Sequence, residues 1–409
     1  MSAARRRPLL PLIALALGVA LSGCGKSSGE HAASGGPSHK LAPVTAQGAV
    51  SVATSNTTRL GGAEVAATAA AVARAAYPGL TAETRPRAVV VVDEGNWSAA
   101  LAAAALAGAP TGAPLLYAGG GSLPTVSRES LEALHPTGMP SLGGAQVISV
   151  GSTGALPTGL QARAVAVGEP AVTAASIARL MLSTDGGTPP HQVIVAAANA
   201  PRALQMPAAG LAAESGSPIL FVTPGRVPEA TAAVLVAMRH PAIYVVAPEQ
   251  IRAHTLGLLR RLGAVTEIRP AASEGTGAVA NSIAIARFTD GTFGWGIKEP
   301  GHGLVFANAT RPLDAPAAAL LSASGDYGPL LLVERAGEVP SALAAYLGDI
   351  QPAYTSAPQF RPVRGVYNHG WVIGDEAAIS SVTQAEIDSL LEISPRKQSP
   401  AEATVTQAE

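Results

Sequence analysis

The chain alternates short, wholly apolar runs with longer alanine-rich stretches, and it does so three times. Val89-Val90-Val91-Val92-Asp93 returns as Val193-Ile194-Val195-Ala196-Ala197 and as Leu304-Val305-Phe306-Ala307-Asn308. Runs with no polar face predict strands buried on both sides, as in a parallel sheet. A second strand signature with an early proline follows each: Ala113–Tyr117, Ser217–Phe221 and Gly328–Leu332. The prolines Pro114, Pro218 and Pro329 are 104 and 111 residues apart, the same offsets as Val89, Val193 and Leu304. A third signature closes each copy: Val147–Val150, Ile243–Val246 and Trp371–Gly374. Between the second and third strands, Leu123-Pro124, Val227-Pro228 and Val339-Pro340 open helices, because the first turn tolerates proline's missing N–H. Alanine-rich helices over Ala63–Tyr77, Thr173–Leu182 and Thr276–Arg287 precede the first strands. The order strand, helix, strand, helix, strand predicts parallel α/β units with right-handed crossovers. In the third copy, residues 288–301 and 351–367 read as insertions. Long loops on a rigid scaffold are where binding tends to sit.

The ends of the chain follow another pattern. Arg5, Arg6 and Arg7 precede an apolar stretch from Leu9 to Leu21, a secretory signal over residues 1–23. The stretch is too short for a membrane span. The signal ends Leu21-Ser22-Gly23-Cys24, and Cys24 is the only cysteine, so it serves no disulfide within the chain. This end resembles the lipobox of bacterial lipoproteins. The resemblance implies cleavage before Cys24, a diacylglycerol on its sulfur and an acyl group such as palmitate on its amine. Each buried CH₂ adds roughly 0.8 kcal/mol to such an anchor. Residues 24–50, rich in Gly, Ser, Ala and Pro, read as a tether. Residues 394–409 read as a disordered tail. Between them the repeats divide the chain at 51–161, 162–264 and 265–393.

Charge narrows the function classes. Removing residues 1–23 takes three of the 27 basic residues, leaving 24 against 28 acidic ones. That balance argues against nucleic acid as the main partner. Lys298 is the only lysine between Lys40 and Lys397, so an anion-binding surface must be built from arginine. Candidates are Arg59, Arg202, Arg311, Arg361 and Arg364. The high alanine and glycine content reads as compositional bias without a mechanism.

Catalytic chemistry is not visible. The chain holds no Gly-x-Ser-x-Gly elbow and no His-Glu-x-x-His helix. Cys24-Gly25-Lys26-Ser27 imitates the end of a phosphate loop, but Ala20 stands at the required first glycine. The histidines are scattered, none with a second ligand at helical spacing. The expectation is therefore no enzyme, no cofactor and no metal. Asp93 and Asn96 lie at the carboxyl end of a strand, where α/β sheets bind ligands, but they also suit helix caps. Asp314 carries the same two readings.

Thr58-Arg59-Leu60-Gly61-Gly62, the alanine-rich helix, the buried strand and the later Gly-Ala-Pro-Leu-Leu together resemble the type 2 cell wall-binding repeat, over about residues 55–392. The resemblance implies three tandem flavodoxin/Toprim-like parallel-sheet repeats in a pseudo-threefold α/β arrangement that holds an anionic wall polymer without covalent attachment. The family's turn glycine falls on Gly95, Asn199 and Ala309, and Asn199 suits the same positive-φ turn. The family's aspartate survives at Asp314, with Ala100 and Leu204 in the other copies. The ligand candidates are then Arg59, Asp93, Asn96, Asn199, Arg311 and Asp314. The whole reads as a non-catalytic surface protein, secreted, lipid-anchored to the bacterial membrane and facing the wall, its two attachments adding avidity. Its acidity requires arginines segregated on one face. A substrate-binding lipoprotein of a transporter is the alternative, though such proteins have two lobes. Another surface protein docked on the third copy is a further partner.

Overall fold

The computed structural model describes residues 50–184, 190–323, 328–354 and 367–395. The signal, Cys24, the tether up to residue 49, Arg361, Arg364, most of the second insertion and the tail beyond Pro395 lie outside the described residues.

In chain order, β1 (Val50–Ala53), β2 (Thr57–Gly61) and α1 (Val65–Ala76) lead into the first copy: β3 (Val89–Asp93), α2 (Trp97–Ala103), β4 (Leu115–Ala118), α3 (Thr125–Leu134) and β5 (Val147–Val150). Then come β6 (Ala162–Val165), α4 (Pro170–Ser183), β7 (Gln192–Ala197), α5 (Arg202–Gln205), α6 (Pro207–Ser215), β8 (Ile219–Val222), α7 (Glu229–Ala237) and β9 (Ala242–Val246). The third copy follows α8 (Ala253–Leu262), β10 (Ala264–Ile268) and α9 (Ala278–Arg287) with β11 (Gly303–Asn308), α10 (Asp314–Ala318), β12 (Leu330–Val333), α11 (Ser341–Asp349), β13 (Ala353–Tyr354), β14 (His369–Ile373), α12 (Ser381–Leu391) and β15 (Ser394–Pro395). Val50, the last residue of the expected tether, thus opens a strand. Ser394 and Pro395, the first of the expected tail, pair with β13.

Three parallel sheets result, each with the second strand outermost, then the first, the third and a fourth. The fourth strands are β6, β10 and β2, whereas the sequence pattern indicated three strands to a copy. Each fourth strand lies at the head of the next copy. β6 and β10 close the sheets of the copies before them, and β2 closes the sheet of the last copy on β14, with β1 antiparallel at its edge. The sheets therefore cross the repeat boundaries drawn from the sequence, 161/162 and 264/265. The first strands are the driest: Val89 to Val92 are all 0% exposed. Burial of such side chains contributes about 1.5–3 kcal/mol each.

The helices repeat the same relation. α2 packs on α4, α6 on α9 and α10 on α1, so each copy is joined to the next and the last to the first. At the centre the 3₁₀ turns Ala104–Ala107 and Ala319–Ser322 meet α6 and each other. Small residues are obligatory here. A Cβ on Gly108 would stand 2.2 Å from the carbonyl oxygen of Ala213, and one on Gly210 would stand 2.7 Å from Ser322 Oγ. Ala99, Ala100, Ala102, Ala208, Ala209 and Ala212 are 0% exposed. Much of the alanine read as compositional bias is thus the packing of this junction. The prolines 124, 228 and 340 sit at the N-caps of α3, α7 and α11, one position before the first turn, with φ near −57° and extended ψ.

The first insertion, 288–301, folds back onto the second sheet instead of forming an open loop. Phe293 stacks on Tyr244 of β9 with centroids 3.7 Å apart, and Tyr244 Oη donates to Asp290 Oδ2 at 2.6 Å.

Candidate functional site

In open α/β sheets, ligands are bound beyond the carboxyl ends of the strands. Here those three edges differ.

Over the first sheet the edge is closed. A Cβ on Gly119 would stand 2.5 Å from Glu94 Oε1, and one on Gly121 would stand 3.3 Å from Ser152 Oγ. Asn96 caps α2, its Oδ1 accepting from Ala99 N at 3.1 Å and from Ser98 Oγ at 3.1 Å. Asp93 does not cap the helix; its Oδ1 accepts from Gly95 N at 3.0 Å.

The third edge is closed by two arginines. Arg59, 3% exposed, has five N–H donors and makes five bonds: to Gln384 Oε1 at 3.0 Å and to the carbonyl oxygens of Gly374 (3.0 Å), Asp375 (2.8 Å), Ile379 (2.6 Å) and Ser380 (3.5 Å). Burial holds its pKa below the usual arginine value, against the pull of Glu376 and Asp375. Arg311 donates to Asp314 Oδ2 at 2.7 Å and to the carbonyl oxygens of Ala63 (3.0 Å) and Gly62 (3.2 Å), and its Nη1 lies 3.6 Å from Asp375 Oδ1. Burial opposes its charge, but Asp314, Asp375 and Glu64 outweigh that and raise its pKa. Asp314 has a side chain 0% exposed, and burial raises its pKa despite Arg311. Arg59, Arg311 and Asp314 are thus brought together, as fasteners tying β2 and the start of α1 to the third copy. As anion contacts, Arg59 has all five donors committed and Arg311 four of its five.

The hydrogen-bond register corrects two equivalences. Glu94, Ala198 and Ala309 each donate at 2.8 Å to the carbonyl oxygen ending the second strand, at Ala118, Val222 and Val333. Gly95 and Asn199 therefore match Thr310, not Ala309, and Asp314 matches Ala99 and Ala203. Neither Gly95 nor Asn199 has a positive φ, so the turn does not select them for that reason.

The second edge opens into a cleft of about 850 Å³. Its walls are Ala198 and Asn199 after β7, Val222 at the end of β8 with Thr223 after it, and the first turns of α4 and α7. Asn199 is the one sequence candidate on it. Exposed Arg179 and Arg226 line it, as do Glu169 and Glu229. Among the described residues neither arginine forms an ion pair. Both were missed in the sequence. Arg226 ends a four-residue bridge that recurs after each second strand, Gly119–Ser122, Thr223–Arg226 and Arg335–Glu338, where the other copies carry Ser122 and Glu338. Among the described residues no cluster of three or more His, Cys, Asp or Glu is placed to hold a metal ion, and no helix is long and apolar enough to cross a membrane.

Residues 59–161 match the model of the family described as cell wall binding domain 2, which covers the first of the three copies. Among solved structures, the chain is similar to Cwp6 from Clostridium difficile, with a TM-score of 0.62 and 17% identity over 84% of this chain and 51% of that one. It is likewise similar to Cwp8 from Clostridium difficile, with a TM-score of 0.60 and 16% identity over 82% of this chain and 51% of that one. The chain thus spans about half the length of these structures, and identity this low establishes the fold alone. No curated protein shows a significant sequence match.

Proposed function

We propose that the chain is a non-catalytic surface protein that contacts the cell wall, or an anionic wall polymer, through its α/β copies, while a lipid on Cys24 holds it to the membrane. The observation that carries this reading is the match of residues 59–161 to a cell wall binding domain, in a chain that builds the same sheet three times. Arg179 and Arg226 supply exposed guanidiniums that Arg59 and Arg311, largely committed within the fold, do not, and they stand on the 850 Å³ cleft. The lipid rests on Leu21-Ser22-Gly23-Cys24 and the basic, apolar segment before it.

Sedimentation with isolated walls tests the contact. The chain without its lipid pellets with intact walls, pellets less at high salt, and stays in solution after hydrofluoric acid strips the anionic polymers. The double variant R179A/R226A loses most of the binding. Equal sedimentation with stripped walls, or none with either preparation, overturns the reading. Mass spectrometry of the membrane-extracted protein tests the anchor: an N-terminal acylated Cys24 is expected, and Cys24→Ala releases the protein.

A transporter's substrate-binding lipoprotein is the second reading, favoured by a cleft of small-molecule size. Retention of a small solute by the purified chain, with no wall binding, would select it.

A further inference from the structure

The second copy carries a basic row at the end of its sheet opposite the cleft. The amino ends of β7, β9 and β10 are level: Ala242 N donates to the His191 carbonyl oxygen at 2.9 Å, and Ala264 N donates to that of Pro241 at 3.0 Å. Gln192 and Ala264 flank Ala242 in the register. The segments entering these strands therefore stand side by side, about 4.8 Å from strand to strand. They bring His191 before β7, Arg239 and His240 before β9, and Arg260 and Arg261 before β10, all exposed. Arg260 pairs with Glu267 at 2.6 Å. Arg239 and Arg261 form no ion pair among the described residues.

The row belongs to this copy. By register, the first sheet has Gly143, Pro157 and Thr158 where the second has Arg239, Arg260 and Arg261. A cation in the last turn of a helix complements its dipole, which by itself would account for Arg260 and Arg261 in α8. The helices α3, α11 and α12 end without a base, however, and Arg239 lies beyond the end of α7. Charge over whole copies runs the same way. Residues 162–264 hold eight basic and five acidic residues, whereas residues 265–393 hold seven and fourteen. An anionic surface therefore attracts the second copy and repels the third.

The cleft opens at the carboxyl ends of β7 and β8, one strand length, roughly 17–20 Å, from the row. A chain that meets the wall with the cleft turns the row away from it, toward the membrane. The twenty-six residues from 24 to 49 are long enough to allow this, since such a length reaches ~85 Å when extended.

We propose that the amino edge of the second sheet rests on anionic phospholipid headgroups, with Arg239, Arg260 and Arg261 as the contacts. The proposal rests on the membrane side of the function given above and adds orientation to it. A lipid at the end of a tether holds the chain near the membrane without deciding which face looks outward. The row decides it.

Co-sedimentation of the mature chain carrying Cys24→Ala, which has no lipid, with vesicles tests the contact. Vesicles of equal phosphatidylglycerol and phosphatidylcholine bind it, phosphatidylcholine alone does not, and about 0.5 M salt releases it. R239A/R261A, changed at exposed positions, keeps the parent melting temperature and still sediments with isolated walls. Its vesicle binding falls about thirtyfold, near fivefold for each arginine at an anionic surface. R179A/R226A removes the same charge from the cleft and changes vesicle binding by less than about twofold. Equal binding to both kinds of vesicle, or equal loss in the two double variants, overturns the proposal. So does R239A/R261A losing wall sedimentation in place of vesicle binding, which would make the row a polymer contact. None of these outcomes touches acylation of Cys24 or the role of the cleft, which stand on their own tests.

Discussion

Arg311 Nε stands 2.7 Å from Asp314 Oδ2, and the carboxylate it neutralises has a side chain that is 0% exposed. Removing the arginine alone leaves a buried charge. R311A should therefore destabilise the chain by about 3–5 kcal/mol, while the double change R311M/D314L recovers most of that loss, as replacement of buried pairs by apolar groups generally does. Urea unfolding of the three variants measures both numbers. Equal stability of R311A and the parent would show that the pair does not tie the third copy to the first.

The Tyr244–Asp290 bond gives the first insertion a pH dependence. Chiefly through the Tyr244 hydroxyl, helped by Thr292 and Phe293, Asp290 is pulled from 3.8 down to about 2. A depressed carboxylate contributes stability that is complete above its unfolded value, near pH 4, and that is lost as pH falls through about 2. Docking of 288–301 should loosen across that window. NMR titration of the Asp290 carboxyl follows it, and Y244F should return the midpoint toward 3.8 while leaving the Phe293 stacking site in place.

Gly61 has φ +141°, and a Cβ there would stand 2.6 Å from the backbone nitrogen of Gly374. Backbone cannot swing away as a side chain can, so G61A should cost about 1–3 kcal/mol through strain and displaced packing. Gly257, inside α8, has nothing within 4 Å of such a Cβ. G257A should instead stabilise by roughly 0.5–1 kcal/mol. Thermal unfolding of the pair separates a crowded strand end from an open helix face.

Because β2 pairs with β14, a chain beginning at residue 62 exposes an unpaired sheet edge on the last copy. It should be less stable and prone to associate, and a synthetic peptide of residues 50–62 added in trans should restore the monomer. Sedimentation velocity with and without the peptide is the measurement.

The nine apolar strands were legible because most of their positions are buried, and Val89–Val92 or Leu330–Val333 admit little other reading. The fourth strands were not. β6 is Ala-Arg-Ala-Val with three exposed positions, and β10 carries Thr266 and Glu267, so neither shows the apolar signature. Arg59 misled for a related reason. An arginine in a polar strand suggests a surface anion contact, and the four backbone carbonyls that bury it come from residues 374–380, more than 300 positions away. Asn199 pointed to the open cleft, while Arg179 and Arg226 are distinguished only by where α4 and β8 end in space. Charge on a short helix or turn carries no such address in sequence.

Borrowing a strand from the neighbour settles how many copies the chain can hold. A solenoid grows by stacking another unit on a free end. Here the last sheet already has its final place taken by β2, from the other end of the polypeptide. A fourth unit seated after the third would have to part β2 from β14 and α1 from α10, and one seated between other copies would have to part β6 from β5 or β10 from β9. The ring is thus closed by pairing between copies, and adding a unit breaks bonds that already exist.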